Sequence, residues 1–245
     1  MEQIKLFGID IVNADSAGVI GYFDSVLAEE AGAPVTVLFI NAHGVNILHE
    51  NEAYRRALAR ASWILNDGVG LDIAAKLRGM AFKENLNGTD LMPRVMKLCS
   101  DRKARVFLLG TTDVRLGKAI ENFKQKYPGA EIAGSHNGFF SAEDNGAIVQ
   151  AINDSGAEVV LVALGNPKQE IWIGEHAGDL NARLVFGVGA YIDFESGEIV
   201  RAPRLFQIVK LEWLFRLLQE PGRLWNRYLI GNVKFLYRAL RQRRP

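Results

Sequence analysis

The chain has 245 residues, 49% of them hydrophobic, and a formal net charge of +1. This length and composition suffice for a full core in one large domain, or in one domain with an appendage, and they do not indicate disorder. The single cysteine excludes an intrachain disulfide, and no apolar stretch reaches the roughly 18 to 20 residues that a membrane-spanning helix requires.

The first half of the chain alternates strand and helix patterns. Residues 4–12 predict one strand or a strand pair, followed by a helix. Residues 35–40 are an uninterrupted β-branched and aromatic run, which is typical of a buried parallel strand. After a helical pattern, residues 61–65 form a second short apolar run that a polar turn closes. Two parallel strands joined by a helix are therefore expected here.

Polar side chains follow the ends of these two strands. Asn41 follows the first strand, and Asn66 and Asp67 follow the second. Because the carboxyl ends of parallel strands meet at one edge of a sheet, Asn41 and Asp67 are expected to face one cleft although 26 positions separate them. The residues alone leave an alternative open, since an Asp before Gly is also a common turn former or helix cap.

The second half continues the alternation. Predicted strands cover residues 105–110, 131–134, 157–164 and 183–188, and predicted helices cover 70–79, 91–100, a segment that ends near 127, 144–154 and the segment after Pro167. Residues 135–140 are polar and glycine-rich and are predicted to be a loop at the sheet edge. With no internal repeat, this order predicts a doubly wound α/β fold with a mainly parallel sheet.

Residues 201–245 differ from the rest in charge and pattern. They contain eleven Lys or Arg and two Glu, a charge of +9, so the remainder carries −8. This separation favours an anionic partner. Two basic amphipathic helices, broken at residues 220–222, suit the headgroup region of a bilayer, and a helical hairpin packed on the sheet is the alternative. We predict a catalytic domain over residues 1–200 and a membrane-associating appendage over residues 201–245.

The location in the cell is predicted from two further features. The first residues are not a basic and then apolar leader, so we expect no secretory signal. Cys99 lies in an apolar pattern, which predicts a core thiol rather than a nucleophile and fits a reducing compartment. We expect a cytoplasmic protein that attaches to the inner face of the cell membrane without crossing it.

Several common motifs of nucleotide-binding and hydrolytic enzymes are missing from the sequence. There is no P-loop, no Gly-x-Ser-x-Gly elbow and no complete dinucleotide fingerprint. The four histidines lack metal-ligand spacing, so we expect neither a metal nor a cofactor. What remains is one candidate base, Asp67, with amides, hydroxyls and helix N-termini that stabilise phosphate charge. This set suits displacement of a nucleoside diphosphate by a hydroxyl whose proton passes to a carboxylate.

An ordered set of short motifs runs through almost the whole chain. It comprises Asn41, Asn66-Asp67-Gly68, Gly88-Thr89-Asp90-Leu91, Leu108-Leu109-Gly110, the run LGNPKQE over residues 164–170, Gly187-Val188-Gly189-Ala190, Arg201-Ala202-Pro203 and the run EWLFRLLQEP over residues 212–221. In this order the motifs resemble those of the WecG/TagA/CpsF glycosyltransferases. Each motif alone is common, whereas the ordered set is specific.

The resemblance implies a Rossmann-like body and a C-terminal appendage that aids membrane attachment and completes the active site. It implies an inverting, metal-independent reaction in the synthesis of cell-surface polysaccharide. A sugar of N-acetylhexosamine, hexose or uronic acid type would pass from a UDP-sugar to a polyprenyl-diphosphate-linked saccharide at the cytoplasmic membrane face. Asp67 matches the family's catalytic base, and Asn41 and Gln169 match its pocket residues. The appendage arginines expected to meet diphosphate are Arg216, Arg223 and Arg227.

Three residues depart from the family pattern. Phe39 stands where Thr is common, and Asn85 and Asn226 stand where Arg is common. The first two changes fall in the expected pocket. They bear on the identity of the sugar more than on the type of reaction, because an inverting transfer still needs a base and a diphosphate cradle.

The predicted site includes further substrate-binding residues at strand ends and helix starts. They are Asn66, Thr89, Asp90, Gly110, His136, Gly189, Asp193 and Arg201. Simpler roles stay open for some of them: Asp193 as a turn acid, Arg201 as a partner of a helix-start carbonyl, and His136 as a loop histidine. Gln169 could likewise be a reciprocal helix cap.

Two rival functions stay open as well. A non-catalytic α/β module would bind anionic lipid or nucleic acid through the basic tail, and nucleic acid is the weaker option because the Leu and Trp content of the tail suits an apolar interface. A nucleotide-sugar modifying enzyme would act without a lipid acceptor. The donor sugar, the acceptor saccharide and the formation of a homo-oligomer are also open.

Overall fold

Strands and helices alternate along the chain. The computed structural model describes residues 1–29, 32–199, 202–203, 206, 212–219, 222 and 225–242, without the side chains of Glu212 and Arg216. The strands are β1 (Gln3–Leu6), β2 (Ile9–Val12), β3 (Val35–Ile40), β4 (Trp63–Asn66), β5 (Arg105–Gly110), β6 (Glu131–His136), β7 (Val159–Ala163) and β8 (Leu184–Gly187). The helices are α1 (Ser16–Ala28), α2 (Ala42–Glu50), α3 (Glu52–Arg60), α4 (Val69–Lys76), α5 (Gly88–Arg102), α6 (Asp113–Lys126), α7 (Asn145–Asp154), α8 (Lys168–His176), α9 (Tyr191–Glu195), α10 (Glu212–Gln219) and α11 (Gly231–Arg241), and a π-helical turn covers Asn226–Ile230.

Six of the strands form one parallel sheet in the order β4-β3-β8-β7-β5-β6. The chain moves outward from β3 to β4 on one side and from β5 to β6 on the other, and it then returns through β7 and β8 between them. β1 and β2 pair with each other as an antiparallel hairpin outside this sheet. The predicted doubly wound α/β fold, with C-terminal helices, is confirmed.

Helices cover both faces of the sheet, which explains why its strands are hydrophobic without alternation. Along β3, Val37 and Phe39 belong to the core cluster under α1, α5 and α6. Leu38 and Ile40 point the opposite way, into the cluster under α2, α3 and α8. Because successive strand side chains alternate between faces, an unbroken apolar run is what two buried faces require.

Cys99 lies on α5 and is fully buried in the first of these clusters. Burial raises the pKa of its thiol to about 12. The nucleophilic thiolate is therefore disfavoured, and the expectation of a core thiol is confirmed.

The helix α9 was not predicted, several other element ends shift by up to three residues, and two further differences have a clear physical cause. β6 continues through Ser135 and His136, which were expected in a loop, because both pair with β5. The helical pattern after β3 is divided into α2 and α3 at Asn51. The Asn51 backbone N–H donates to Ile47, and its side-chain oxygen accepts from the Tyr54 N–H at 3.0 Å. One residue thus ends the first helix and caps the second, which spacing alone does not reveal.

α11 packs on the α/β body and is held there by buried contacts. Phe235 on this helix is only 2% exposed. The buried Asn46 of α2 donates to the Gly231 carbonyl oxygen at 2.7 Å. Arg238 in turn donates to the Asn46 side-chain oxygen at 2.7 Å and to Glu50 at 2.8 Å. The C-terminal helix is therefore a wall of the folded body as well as an amphipathic element.

Candidate active site

A cavity of about 470 Å³ opens at the carboxyl ends of β3 and β4. This volume is within the roughly 300–1,000 Å³ that is usual for small-molecule sites. The turns after both strands, the start of α5 and the C-terminal helical segment form its walls. Its polar lining residues are Asn41, His43, Asp67, Asn85, Asn87, Thr89, Asp90, Arg227, Tyr228 and Asn232, and its larger apolar ones are Ile73, Phe194, Trp213, Phe235 and Leu236.

Asn41 and Asp67 meet at this cavity. Ile40 pairs with Asn66 in the parallel ladder, and the Asp67 backbone N–H donates to the Ile40 carbonyl oxygen at 2.8 Å. The Asn41 side-chain oxygen caps α2 by accepting from the His43 and Gly44 N–H groups, each at 3.1 Å. Its amide nitrogen therefore points the other way and donates to Asp67 Oδ2 at 3.1 Å. The expected proximity of these two side chains is what the structure shows.

The start of α5 forms another wall of the cavity. Asn87 caps this helix by accepting from the Asp90 N–H at 3.0 Å, and its amide nitrogen donates to the Asp90 carboxylate at 2.7 Å. Thr89 in the first turn also lines the cavity. A helix N-terminus carries a partial positive charge that attracts anions, and the Asp90 carboxylate in the same first turn offsets part of it.

Two of the predicted binding residues lie behind the cavity wall. Asn66 is fully buried, and its amide nitrogen donates to the Glu84 carbonyl oxygen at 3.1 Å. Gln169 is 4% exposed. Its oxygen accepts from the Gly189 N–H at 3.0 Å, and its nitrogen donates to Glu170 at 2.9 Å. The side chains of Asn66 and Gln169 thus stabilise the backbone at strand ends. A direct contact of either side chain with substrate stays a prediction.

Glu170 is a buried acid outside the set of predicted site residues. It is 1% exposed, and burial raises the pKa of its carboxyl group, while the Asn166 side chain and the Arg227 charge act in the opposite direction. Asn166 also donates to the Tyr54 hydroxyl at 3.0 Å. In the sequence, the burial of Glu170 is indicated only by the apolar run Ile-Trp-Ile that follows it on the same helix. Tyr54, Asn166 and Glu170 are therefore linked in a largely buried chain of polar side chains.

Gly110 and His136 lie at the ends of the neighbouring strands β5 and β6, and Asp193 lies on α9; all three are outside the lining of this cavity. Gly110 has a φ of +140° and lies so close to β7 that a side chain would collide with its backbone. The Thr111 hydroxyl donates to the Asp193 carboxylate, and Arg115 lies 3.3 Å from the same carboxylate. Their binding roles stay predictions.

Only one of the four arginines predicted to bind substrate has a side chain that the structure describes. Arg227 is half-buried and lines the cavity. Arg201, Arg223 and the side chain of Arg216 lie outside the described residues. The structure therefore brings one predicted arginine to the cavity that holds Asp67.

His43 lines the cavity and is outside the set of predicted site residues. It stands in the first turn of α2, two positions after Asn41, and is half-buried. Burial, and to a smaller extent the positive charge of Arg227, lower the pKa of its imidazole to about 4, and Glu50 acts in the opposite direction. The ring is therefore neutral at physiological pH and can both donate and accept a hydrogen bond.

We expect His43 to make the folded state less stable in mild acid. The unfolded imidazole has its ordinary pKa of 6.5, and the folded one has a pKa of about 4. Between these values the unfolded chain binds more protons, so the stability contribution declines as the pH falls from 6.5 towards 4. Urea unfolding across this range should show a weaker decline for His43→Asn than for the wild type. Parallel curves for the two proteins would contradict the assignment.

Two carboxylates, those of Asp67 and Asp90, line the cavity. Among the side chains that the structure describes, no group of three or more His, Cys, Asp or Glu lies together as metal ligands would. A metal-independent reaction remains a prediction.

Comparison with known proteins gives consistent matches over nearly the whole chain. The model of the Glycosyl transferase WecG/TagA/CpsF family matches residues 4–245. A protein of Bacillus spizizenii is 29% identical over 229 residues, which cover 94% of this chain and 88% of the relative. A protein of Staphylococcus aureus strain MW2 is 27% identical over 246 residues, with 99% and 94% coverage. Both are named N-acetylglucosaminyldiphosphoundecaprenol N-acetyl-beta-D-mannosaminyltransferase.

Proposed function

Because the chain belongs to the WecG/TagA/CpsF family of glycosyltransferases, we propose that it transfers a sugar from a UDP-sugar to a polyprenyl-diphosphate-linked saccharide. The transfer inverts the anomeric configuration, needs no metal ion and uses Asp67 as the general base. The observation that carries this proposal is the Asp67 carboxylate at the cavity, held by the Asn41 amide at 3.1 Å and facing a space that Arg227 also lines.

The proposed reaction is a single displacement. Asp67 takes the proton of an acceptor hydroxyl as its oxygen forms a bond to the anomeric carbon. The bond between that carbon and the diphosphate oxygen breaks, and its electron pair leaves with UDP. Attack on the face opposite the leaving group inverts the configuration. The Asn41 amide keeps the Asp67 carboxylate in one orientation, which is the arrangement that proton transfer needs.

Other lining groups of the cavity suit the leaving diphosphate. The N-terminus of α5 supplies a partial positive charge, and Arg227 supplies a full one. The neutral His43 ring adds a hydrogen-bonding group without adding charge. Groups of this kind stabilise negative charge as it develops on a leaving group, and this lowers the barrier to transfer.

The names of the relatives guide the choice of substrates. The Bacillus and Staphylococcus proteins are named as transferring N-acetylmannosamine to N-acetylglucosaminyldiphosphoundecaprenol. We infer an acceptor of the same class here, a saccharide linked to polyprenyl diphosphate. The same names favour an N-acetylhexosamine as the donor sugar over a hexose or a uronic acid.

The C-terminal segment has an exposed apolar face that supports attachment to the cytoplasmic membrane face. Its exposed residues are Trp225, Leu229, Ile230, Val233, Leu236, Tyr237 and Leu240. Lys234 and Arg241 stand among them, and the Arg241 guanidinium lies 4.5 Å from the centre of the Tyr237 ring. Aromatic and cationic groups beside apolar ones suit a headgroup region. Within the described ranges, no helix has the length and hydropathy to cross a bilayer.

A donor screen followed by a transfer assay tests the proposed function. UDP-sugars should raise the thermal unfolding temperature, since a ligand that binds only the folded state stabilises it. The stabilising UDP-sugar, offered with a short-chain prenyl-diphosphate saccharide, should give a glycolipid of inverted anomeric configuration, also in the presence of EDTA. Chromatography and NMR of the product measure the result.

Other outcomes of this assay would favour other functions. Turnover of the UDP-sugar without any lipid acceptor would favour a nucleotide-sugar modifying enzyme. Salt-sensitive binding to anionic liposomes or nucleic acid, with no protection by any UDP-sugar, would favour a non-catalytic binding module. A product made only with added divalent metal would remove the metal-independent mechanism.

A further inference from the structure

The segment between α4 and α5 passes over the end of β4 and contacts both chain neighbours of Asp67. On one side, the Asn66 amide donates to the Glu84 carbonyl oxygen at 3.1 Å. On the other side, the Gly68 backbone N–H donates to the Asn85 side-chain oxygen at 2.8 Å. The residues before and after the proposed base are therefore bonded to two adjacent residues of one segment.

This segment is itself anchored to the body near the connection from β2 to α1. The Lys83 backbone N–H donates to the Asn13 side-chain oxygen at 2.8 Å. The Ser16 backbone N–H donates to the Glu84 carboxylate at 2.7 Å. These bonds fix the segment next to Asn85, so the Asn85 side chain has a defined place from which to hold Gly68.

Gly68 is the point at which the chain turns from β4 into α4. Its φ is +89°, and this N-cap position has no side-chain cap of its own. Glycine adopts positive φ values without steric cost, but it also has more conformational freedom than any other residue. A turn built on Gly68 alone would add no restraint to the bonds with Ile40 and Asn41 that hold Asp67. The bond from the Gly68 N–H to Asn85 restricts the conformational freedom of this glycine, and both residues line the cavity.

We propose that Asn85 is a positioning residue for the transfer reaction. By holding the Gly68 amide, it fixes the Asp67 carboxylate in the geometry that proton removal from the acceptor hydroxyl requires. This inference rests on the proposed function. In this inference Asn85 acts on the catalytic base. The departure from the Arg that is common in the family suggests instead a role in recognition of the donor sugar.

Two substitutions at this position test the inference. Asn85→Ala removes the acceptor of the Gly68 N–H, and we expect kcat to fall about 10- to 100-fold, while the KM for the donor changes less than about twofold. Asn85→Asp keeps an oxygen for the Gly68 N–H and adds a negative charge beside Asp67. Most of kcat should return at high pH, and the acidic limb of the kcat profile should move to higher pH, because a like charge raises the pKa of the base.

The comparison isolates position 85 because both variants keep the other titratable groups of the cavity. Apart from Asp67, these are His43, Asp90, Arg227 and Tyr228. Asn153→Ala is a matched control. It removes a similar bond, from the Asn181 N–H at 2.8 Å, together with the bond from its own amide to the Asp179 carbonyl oxygen at 2.9 Å, at the end of α7 and away from the cavity lining. It should lower the unfolding temperature and leave kcat and its pH profile unchanged.

Three results would overturn the inference: an unchanged kcat in Asn85→Ala, a raised donor KM with normal kcat, or a pH profile of Asn85→Asp that coincides with that of the wild type. If Asp67→Asn is inactive in the same assays, such a result removes only the role of Asn85. A wild-type protein without transfer activity would instead remove the proposed function.

Discussion

Asp67→Asn should abolish sugar transfer, with kcat lower by about 10²- to 10⁴-fold, which is the usual contribution of a positioned base. The substituted side chain has the same shape, and its oxygen can still accept the hydrogen bond from the Asn41 amide, now 3.1 Å from Asp67 Oδ2. The cavity and the fold should therefore persist. Product formation in the chromatographic assay measures the loss, and thermal shift with the UDP-sugar measures retained binding.

The control for this substitution is Asp10→Asn. Asp10 is an exposed acid on β2, and it is not part of the cavity lining. The same chemical change there should leave transfer unaltered. Turnover close to that of the wild type in Asp67→Asn would exclude Asp67 as the base. Loss of UDP-sugar binding together with turnover would instead point to a role in holding the donor.

Phe235→Ala should give the second large effect, on stability and on transfer together. The ring is 2% exposed, its centre lies 5.6 Å from that of Phe7, and its edge faces Gly70. Removing a buried aromatic ring costs about 3–5 kcal/mol, through lost burial and the space left behind. Because α11 is a wall of the cavity, loosening it should also lower transfer. Urea unfolding and limited proteolysis of the C-terminal segment measure the change.

Leu240→Ala on the same helix is the matched control. Leu240 is 70% exposed, so its truncation should change the free energy of unfolding by no more than about 0.5 kcal/mol. If Phe235→Ala were as stable as this control and the C-terminal segment remained protected from protease, docking of α11 would not depend on Phe235. The polar contacts of Asn46 and Arg238 would then be the principal anchors of the helix.

The part of the site that follows from parallel-sheet geometry could be predicted from the sequence. Asn41 and Asp67 are far apart in the chain, but each follows a buried strand, and the rule that adjacent parallel strands end at one edge brought them together correctly. The doubly wound fold followed from the same alternation. Predictions of this kind succeed because backbone pairing determines the result, whatever the surrounding side chains do.

The parts that depend on tertiary packing could not be predicted. The depressed pKa of His43 comes from burial and from the charge of Arg227, which lies 184 positions further along the chain. Gln169 and Glu170 resemble ordinary helix-start residues until their burial is known. Asn85 was identified as a departure from a pattern, but its bond to Gly68 depends on how one loop crosses another. No local periodicity encodes such contacts.

The ladder between β3 and β4 determines which changes in chain length this enzyme can accept. The strands carrying Asn41 and Asp67 are neighbours, with Ile40 opposite Asn66. An insertion between α3 and β4 that kept this register would leave the spacing of the pair as it is, whereas one inside α2 or α3 would rotate buried residues such as Asn46 and Tyr54 away from their partners. A shift of β4 by a single residue would instead turn the acid to the other face of the sheet.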